Sequence, residues 1–372
     1  MPASAVARSW TKRVLALSLS LLFTEGLLRT ALLMRAHFGT PLGCGAHPQL
    51  LNRLMYAYGG GHYAMLSIDS DQTAYDPHRG YKHRPGLRNL DVSGAPLSTD
   101  SLGLRGLKEF PVPKPAGVIR IVTLGDSLTF GEGVADGETW PGQLQTDMPG
   151  VEVANFGERG YAHDQMYFAL ADDARKLQPD AVILGFYDND VWRDELTYYC
   201  YEKPRFSPGP QGWQLENVPV PDPLTLRNRY LLMPLIYAVP RGLFDMLSDP
   251  SMSVSGGEDR AEESIRRMRE VATELGARFV IVNIPSRPEE PPRTDGFFHS
   301  YCSSTGTECV DPWPMFHAGN EDADTIKTRY LRPHDIHYSK AGYGVVAEAL
   351  RRHFAEHPII PVHEPAQAAV PH

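Results

Sequence analysis

A serine set directly after a buried-looking strand is the most chemically suggestive feature of this sequence. Gly125-Asp126-Ser127-Leu128-Thr129-Phe130-Gly131 follows the β-branched run Val118–Leu124. A strand that stops at glycine and opens a helix at serine exposes the hydroxyl. It also aims backbone N–H groups at whatever binds there. Thr129 stands where the G-x-S-x-G elbow of α/β-hydrolases has its second glycine, so this is a different turn. Taken alone, the string equally suits an ordinary turn with Asp126 or Ser127 as a helix cap. Three other spots carry groups able to donate hydrogen bonds or move protons. They are Asn155-Phe156-Gly157-Glu158-Arg159-Gly160-Tyr161, Asp188-Asn189-Asp190 and Asp335-Ile336-His337-Tyr338-Ser339-Lys340-Ala341-Gly342-Tyr343. Singly each has a plain structural reading. Gly157 suits a tight turn, Asn189 a cap or turn, and Asp190 a structural role; His337 is one of fourteen histidines, with His334 close by.

These groups need elements to hold them, and the pattern supplies a regular set. Short apolar runs at Val118–Leu124, Val151–Ala154, Ala181–Phe186 and Arg278–Ile284 read as strands. Helical patterns lie between them or after them, at about His163 to Leu177, Glu258 to Leu275 and Lys340 to Phe354. Strands alternating with helices predict a mainly parallel sheet covered on both faces. Residues 36–115 are rich in Gly, Pro, Tyr and His and read as an irregular N-terminal region on the core. Two long stretches, 194–257 and 285–330, interrupt the alternation and read as insertions able to shape a binding site. The apolar piece Tyr230–Leu247 contains Pro234, Pro240, Arg241 and Asp245. It is a poor membrane span and is expected to cover the core or the mouth of the site.

Taken in order, the four motifs resemble the blocks of the SGNH hydrolase (GDSL esterase/lipase) superfamily. Gly125-Asp126-Ser127-Leu128 with Phe130-Gly131 is similar to its first block, the Gly157 segment to its glycine block, and Asp188-Asn189-Asp190 to its Asn-Asp block. The Asp335–Tyr343 segment resembles the closing block, though the family usually spaces it Asp-x-x-His and this chain has Asp335-x-His337. Upstream, Asp100-Ser101-Leu102-Gly103-Leu104-Arg105-Gly106 is similar to a segment of membrane-anchored bacterial members. The resemblance covers roughly residues 116–355. It implies a three-layer α/β/α sandwich of flavodoxin-like type. It also implies Ser127 as nucleophile, His337 as general base and Asp335 as the group orienting the imidazole. An oxyanion would be held by the N–H groups of Ser127 and Gly157 and by the Asn189 side-chain amide. No metal or organic cofactor is implied. The expected activity is deacylation of a carbohydrate or lipid ester. The same residues also suit an O-acyltransferase acting on a cell-envelope glycan, and a non-catalytic glycan-binding protein could retain the fold.

Bulk properties and termini set the location. With 42% hydrophobic residues the chain can build a core, and with 36 basic against 45 acidic residues, without a long basic run, nucleic-acid binding is disfavoured. Arg8, Lys12 and Arg13 precede the apolar run Val14–Phe23, which continues to Met34 past Glu25 and Arg29. A helix over Val14–Met34 would span ~30 Å, enough for an anchor. Glu25 and Arg29, four apart, would pair or snorkel. The alternative is a cleaved signal peptide, but no clear small-x-small site follows. Both readings export the remaining chain, because the positive flank stays inside. Residues 1–35 are thus an anchor or signal, 116–355 the hydrolase domain, and 356–372 a flexible tail. Cys302 and Cys309 could close a small disulfide ring, leaving Cys44 and Cys200 as a long-range pair.

Overall fold

Alternation of side chains along four of the expected strands divides the core into two halves. The computed structural model describes residues 3–39, 49–59, 72–248, 257–291 and 294–360. Its central sheet contains β1 (Ile119–Leu124), β2 (Val151–Asn155), β3 (Ala181–Phe186), β4 (Arg278–Asn283) and β5 (Glu308–Val310). All pairings are parallel, in the order β5-β4-β3-β1-β2. Val122, Leu124, Val182, Leu184 and Ile281 face one side. They pack there with α5 (His163–Phe168) and α9 (Glu258–Glu274). Ile121, Ile183, Val280 and Val282 face the other side, beneath α4 (Trp140–Asp147) and α10 (Lys340–Glu356). The result is a three-layer α/β/α sandwich, as the alternation of elements predicted. Chain order reverses between β1 and β3, and in open parallel sheets that switch point opens a crevice at the carboxyl ends of the strands.

Several elements differ from the sequence expectation. Residues 36–115 are not merely irregular: α2 (Gln49–Gly59) buries Leu54, Met55, Tyr56, Ala57 and Tyr58. The same region holds two hairpins, Thr73–Asp76 with Gly80–His83 and Leu90–Val92 with Ala95–Leu97. The helix from His163 ends at Phe168 and continues as a wider and then a tighter turn to Leu177. Strand β5 falls inside the 285–330 stretch, so part of that stretch is the edge of the central sheet. Three residues are too few to show a strand period.

The 194–257 stretch forms two further hairpins, then α7 (Pro223–Leu231) and α8 (Leu235–Ser248). It is pinned to α5 by a fully buried Lys203–Asp164 ion pair. Removing one partner would leave the other charge buried alone, which is far more costly than any gain from the pair itself. Cys302 and Cys309 are joined in a disulfide with Cα atoms 6.2 Å apart. Cys44, the bridge expected for it with Cys200, and the tail beyond residue 360 lie outside the described residues. The first helix, α1 (Ala3–Phe38), is continuous, and its stretch Trp10–Phe38 is long and apolar enough to cross a membrane.

Candidate active site

Ser127 reaches its position because β1 ends in a close approach that only glycine permits. A Cβ on Gly125 would stand 2.0 Å from the Thr129 hydroxyl and 2.6 Å from its Cβ. The chain then enters the one-turn helix α3 (Ser127–Phe130), capped at its start by Asp126, whose Oδ1 accepts the Leu128 N–H at 2.8 Å. Asp126 is wholly buried, and its other oxygen accepts a bond from Arg193 at 3.0 Å. Arg193 also donates to Asp190 and to the Tyr161 carbonyl, so one guanidinium ties the turn after β1 to α6 (Asp188–Arg193) and to the segment before α5. Burial pushes the Asp190 carboxyl well above the usual carboxylate range, and the nearby Asp126 charge adds to it; the Arg193 charge opposes both. Asp126 and Asp190 are thus scaffold groups of the turn.

His337 comes from the other end of the domain. The loop before α10 is closed by a bridge between Leu331 and Tyr338, by the Arg332 N–H donating to the His337 carbonyl at 2.9 Å, and by the Tyr338 hydroxyl donating to the Pro285 carbonyl at 2.6 Å. It presents the imidazole so that Nε2 lies 2.8 Å from Ser127 Oγ. Nδ1 lies 2.7 Å from Asp335 Oδ1, so the shorter Asp335-x-His337 spacing still brings carboxylate and imidazole together. Arg332 binds the other Asp335 oxygen at 3.0 Å. Burial alone would raise the Asp335 carboxyl, but His337 and Arg332 outweigh it and hold it below its ordinary value. His334, the competing histidine, adopts a left-handed backbone at φ 58° in the same loop, and it is His337 that meets the serine.

The three groups expected to hold an oxyanion differ in how they are engaged. Ser127 N–H is the first of α3, and no hydrogen bond among the described residues takes it up. The Gly157 N–H, by contrast, donates to Asn155 Oδ1 at 2.9 Å, two residues back. Asn side chains readily close such a turn on their own backbone, which is why this N–H is not free. Asn155 also donates to the Thr129 carbonyl at 3.1 Å, knitting β2 to α3. Gly157 is required by space instead: a Cβ there would lie 2.3 Å from the Phe130 nitrogen. Asn189 is exposed at the start of α6 and donates to the Tyr187 hydroxyl at 2.8 Å, which leaves its second amide hydrogen.

One supporting residue was missed although its segment had been singled out. Arg105 donates to the carbonyls of Phe130 at 2.8 Å and Gly131 at 2.7 Å, to that of Val134, and to Asp136 at 3.1 Å. Its guanidinium lies 4.4 Å from the Phe130 ring centroid, so it holds the far end of the serine helix. The signal was present in the sequence as an arginine in a glycine-rich turn, but nothing there named its acceptors. Arg105→Met should lower stability by about 2–4 kcal/mol, since it strips several buried carbonyls of their donor. It should also lower kcat about tenfold with little change in KM, because Ser127 loses its support rather than its chemistry. Thermal unfolding with steady-state kinetics checks both; an unchanged kcat would remove Arg105 from the site.

An open cleft lies at the carboxyl ends of β3 and β4. Asp188, Asn283, Arg287, His299 and Trp313 line it, most of them from the 285–330 stretch.

Comparison with known proteins shows the family. The sequence model of the GDSL-like lipase/acylhydrolase family matches residues 123–345, well over half of the chain. A search of curated proteins gave no match. Among solved structures the chain is similar to a member of the lipolytic protein G-D-S-L family from Veillonella parvula. The identity is 15%, with 64% of this chain and 99% of that chain covered and a TM-score of 0.37. It is also similar to a psychrotrophic esterase from Pseudoalteromonas sp., at 13% identity, covering 64% and 97% with a TM-score of 0.38. A GDSL-like lipase from Bacteroides thetaiotaomicron matches at 14% identity, covering 67% and 93% with a TM-score of 0.34. With its residues 123–345 matched and its serine at the end of the first strand of a parallel sheet, the chain belongs to the GDSL-like lipase/acylhydrolase family of serine ester hydrolases.

Proposed function

We propose that this chain is an exported, membrane-anchored esterase that deacylates a carbohydrate ester through an acyl-serine intermediate. The unbroken chain from Ser127 Oγ through His337 to Asp335 carries the reading. Ser127 Oγ attacks the ester carbonyl carbon while its proton passes to His337 Nε2. The tetrahedral oxyanion is held by the Ser127 N–H and the second Asn189 amide hydrogen, joined by the Gly157 N–H where Asn155 yields it. The C–O bond then breaks, and the proton on His337 goes to the leaving alcohol. Water repeats the sequence on the acyl-serine, giving the free acid and restoring Ser127. Asp335, kept ionised, fixes the imidazole tautomer and stabilises the imidazolium.

A sugar as the alcohol is favoured by the cleft at the end of β4, whose lining includes carboxylate, amide, guanidinium and indole groups of the kind that hold sugar hydroxyls and ring faces. Export is favoured by the basic flank ahead of the apolar stretch of α1. The test is a rapid-quench assay on acetylated sugars and on long-chain acyl esters, with and without a glycan acceptor. A burst of released alcohol followed by water-limited turnover, faster for sugar esters, is expected. Absence of both burst and turnover from folded protein would sink the esterase reading. Acyl transfer that outruns hydrolysis once glycan is added would make the chain an acyltransferase.

A further inference from the structure

The two charges that interrupt the apolar helix are both taken up by the catalytic domain. Glu25 and Arg29 pair at 2.6 Å on one face of α1. The Glu25 carboxylate accepts the N–H groups of Leu235 and Ile236, both at 3.0 Å, and so caps the start of α8. Arg29 donates to the Leu231 carbonyl at 2.6 Å, the Met233 carbonyl at 3.1 Å and the Tyr58 hydroxyl at 2.7 Å. Leu28, Leu32 and Ala36 continue the same stripe into the domain core, whereas every residue from Trp10 to Thr24 is exposed.

Length then sets a conflict. A hydrocarbon core is ~30 Å thick and needs about 20 helical residues. Counted from Val14, just after the basic Lys12 and Arg13, such a span ends near Leu33. Glu25 lies only ~17 Å along it, at 1.5 Å per residue. The free part of the helix is therefore too short to cross by itself, and whatever is packed on Glu25–Leu32 must share its depth.

The element packed there is built for that depth. At the corner between α7 and α8 the free backbone groups of Leu231, Met233, Leu235 and Ile236 meet charges from α1. Irregular backbone is tolerated in a membrane only when so satisfied, and membrane charges are found paired with one another or with backbone carbonyls. The outer side of the corner is mostly apolar: Leu232 is 80% exposed, Tyr237 63% and Phe244 62%, with the exposed Arg241 between the last two on the same face of α8, long enough to snorkel to the headgroups. Leu235 and Ala238, on the inner side of α8, are fully buried against the domain. Exposed apolar side chains grouped at one corner mark an interaction site, and a group aligned with a membrane-spanning helix fits a lipid surface.

We propose that the α7–α8 corner is immersed in the outer leaflet of the bilayer, with the Glu25–Arg29 pair as its polar junction to α1. The anchor then holds the domain at a fixed height and orientation instead of tethering it. This rests on α1 being membrane-embedded, as argued above. The test uses the full chain in phospholipid vesicles, spin-labelled at one introduced cysteine at a time, the described native cysteines all being disulfide-bonded. The sites are Leu21→Cys in the free part of α1, Leu232→Cys and Phe244→Cys at the corner, and Leu215→Cys on a domain hairpin. Oxygen should relax the labels at 21, 232 and 244 several-fold more than a water-soluble nickel chelate does, with the reverse at 215. If 232 and 244 behave like 215 while 21 is lipid-exposed, the corner is outside the membrane and the proposal fails with the anchor intact. An aqueous label at 21 removes the anchor reading and this one together. Dipolar broadening between labels at 244 in neighbouring molecules would show a second copy covering the corner, and would also overturn it.

Discussion

Ser127→Ala is expected to lower kcat for ester hydrolysis by roughly 10⁴-fold or more, with the burst of released alcohol abolished. The hydroxyl lies 2.8 Å from His337 Nε2, the nitrogen that takes its proton. Without it His337 can still activate a water, and the oxyanion donors still polarise a carbonyl, so a small residual rate is expected. Folding should be unaffected, because the hydroxyl has little structural duty and the half-buried imidazole can bond to water instead. Thermal unfolding within a degree or two of the parent, together with a collapsed kcat, is the expected pair of results. His337→Ala should match it, since members of such a unit are strongly non-additive. Turnover by Ser127→Ala at a sizeable fraction of the parent rate would refute the nucleophile assignment.

Gly157→Ala should act through the fold and reach the same centre. The added carbon would lie 2.3 Å from the Phe130 nitrogen and 2.6 Å from the Thr129 carbonyl carbon. Both are backbone atoms of the helix that carries Ser127, so no side-chain rotation can relieve the contact. Either β2 or α3 must shift, at a cost of about 3 kcal/mol in overpacking. A displacement near 1 Å at the serine is worth about 10²-fold in rate. Calorimetry and kinetics should therefore both move, in contrast to Gly137→Ala, where a Cβ meets nothing within 4 Å and little change is expected. A Gly157→Ala protein with parental stability and kcat would show that the two segments can part without consequence.

Much of the scaffold was legible because it is periodic. Buried strands of five or six residues and helices with an apolar stripe announce themselves, so the sequence places β1 to β4, α9 and α10 close to their observed bounds. Ser127 and His337 could be singled out because one directly follows such a strand and the other shortly precedes such a helix. The remainder was hidden for identifiable reasons. β5 has three residues, and α2 is flanked by glycine- and proline-rich chain. The partners of Arg105 and Arg193 are backbone carbonyls and carboxylates from distant segments, and spacing cannot reveal them. The engagement of the Gly157 N–H by Asn155 is also a matter of rotamer and turn geometry, which the motif does not show. Glu25 and Arg29 looked like flaws in an apolar helix until the start of α8 was seen to meet them.

The 210 positions between Ser127 and His337 have one more implication. Closing so long a loop has an entropic cost that only the packed sheet and its covering helices can offset, and contacts of such separation form late in folding. Any nascent or partly unfolded chain therefore holds an inert serine. Covalent labelling of Ser127 by an acylating or phosphonylating reagent would count completed molecules one by one. It would serve as a folding assay read from chemistry, with no spectroscopic signal from the backbone needed.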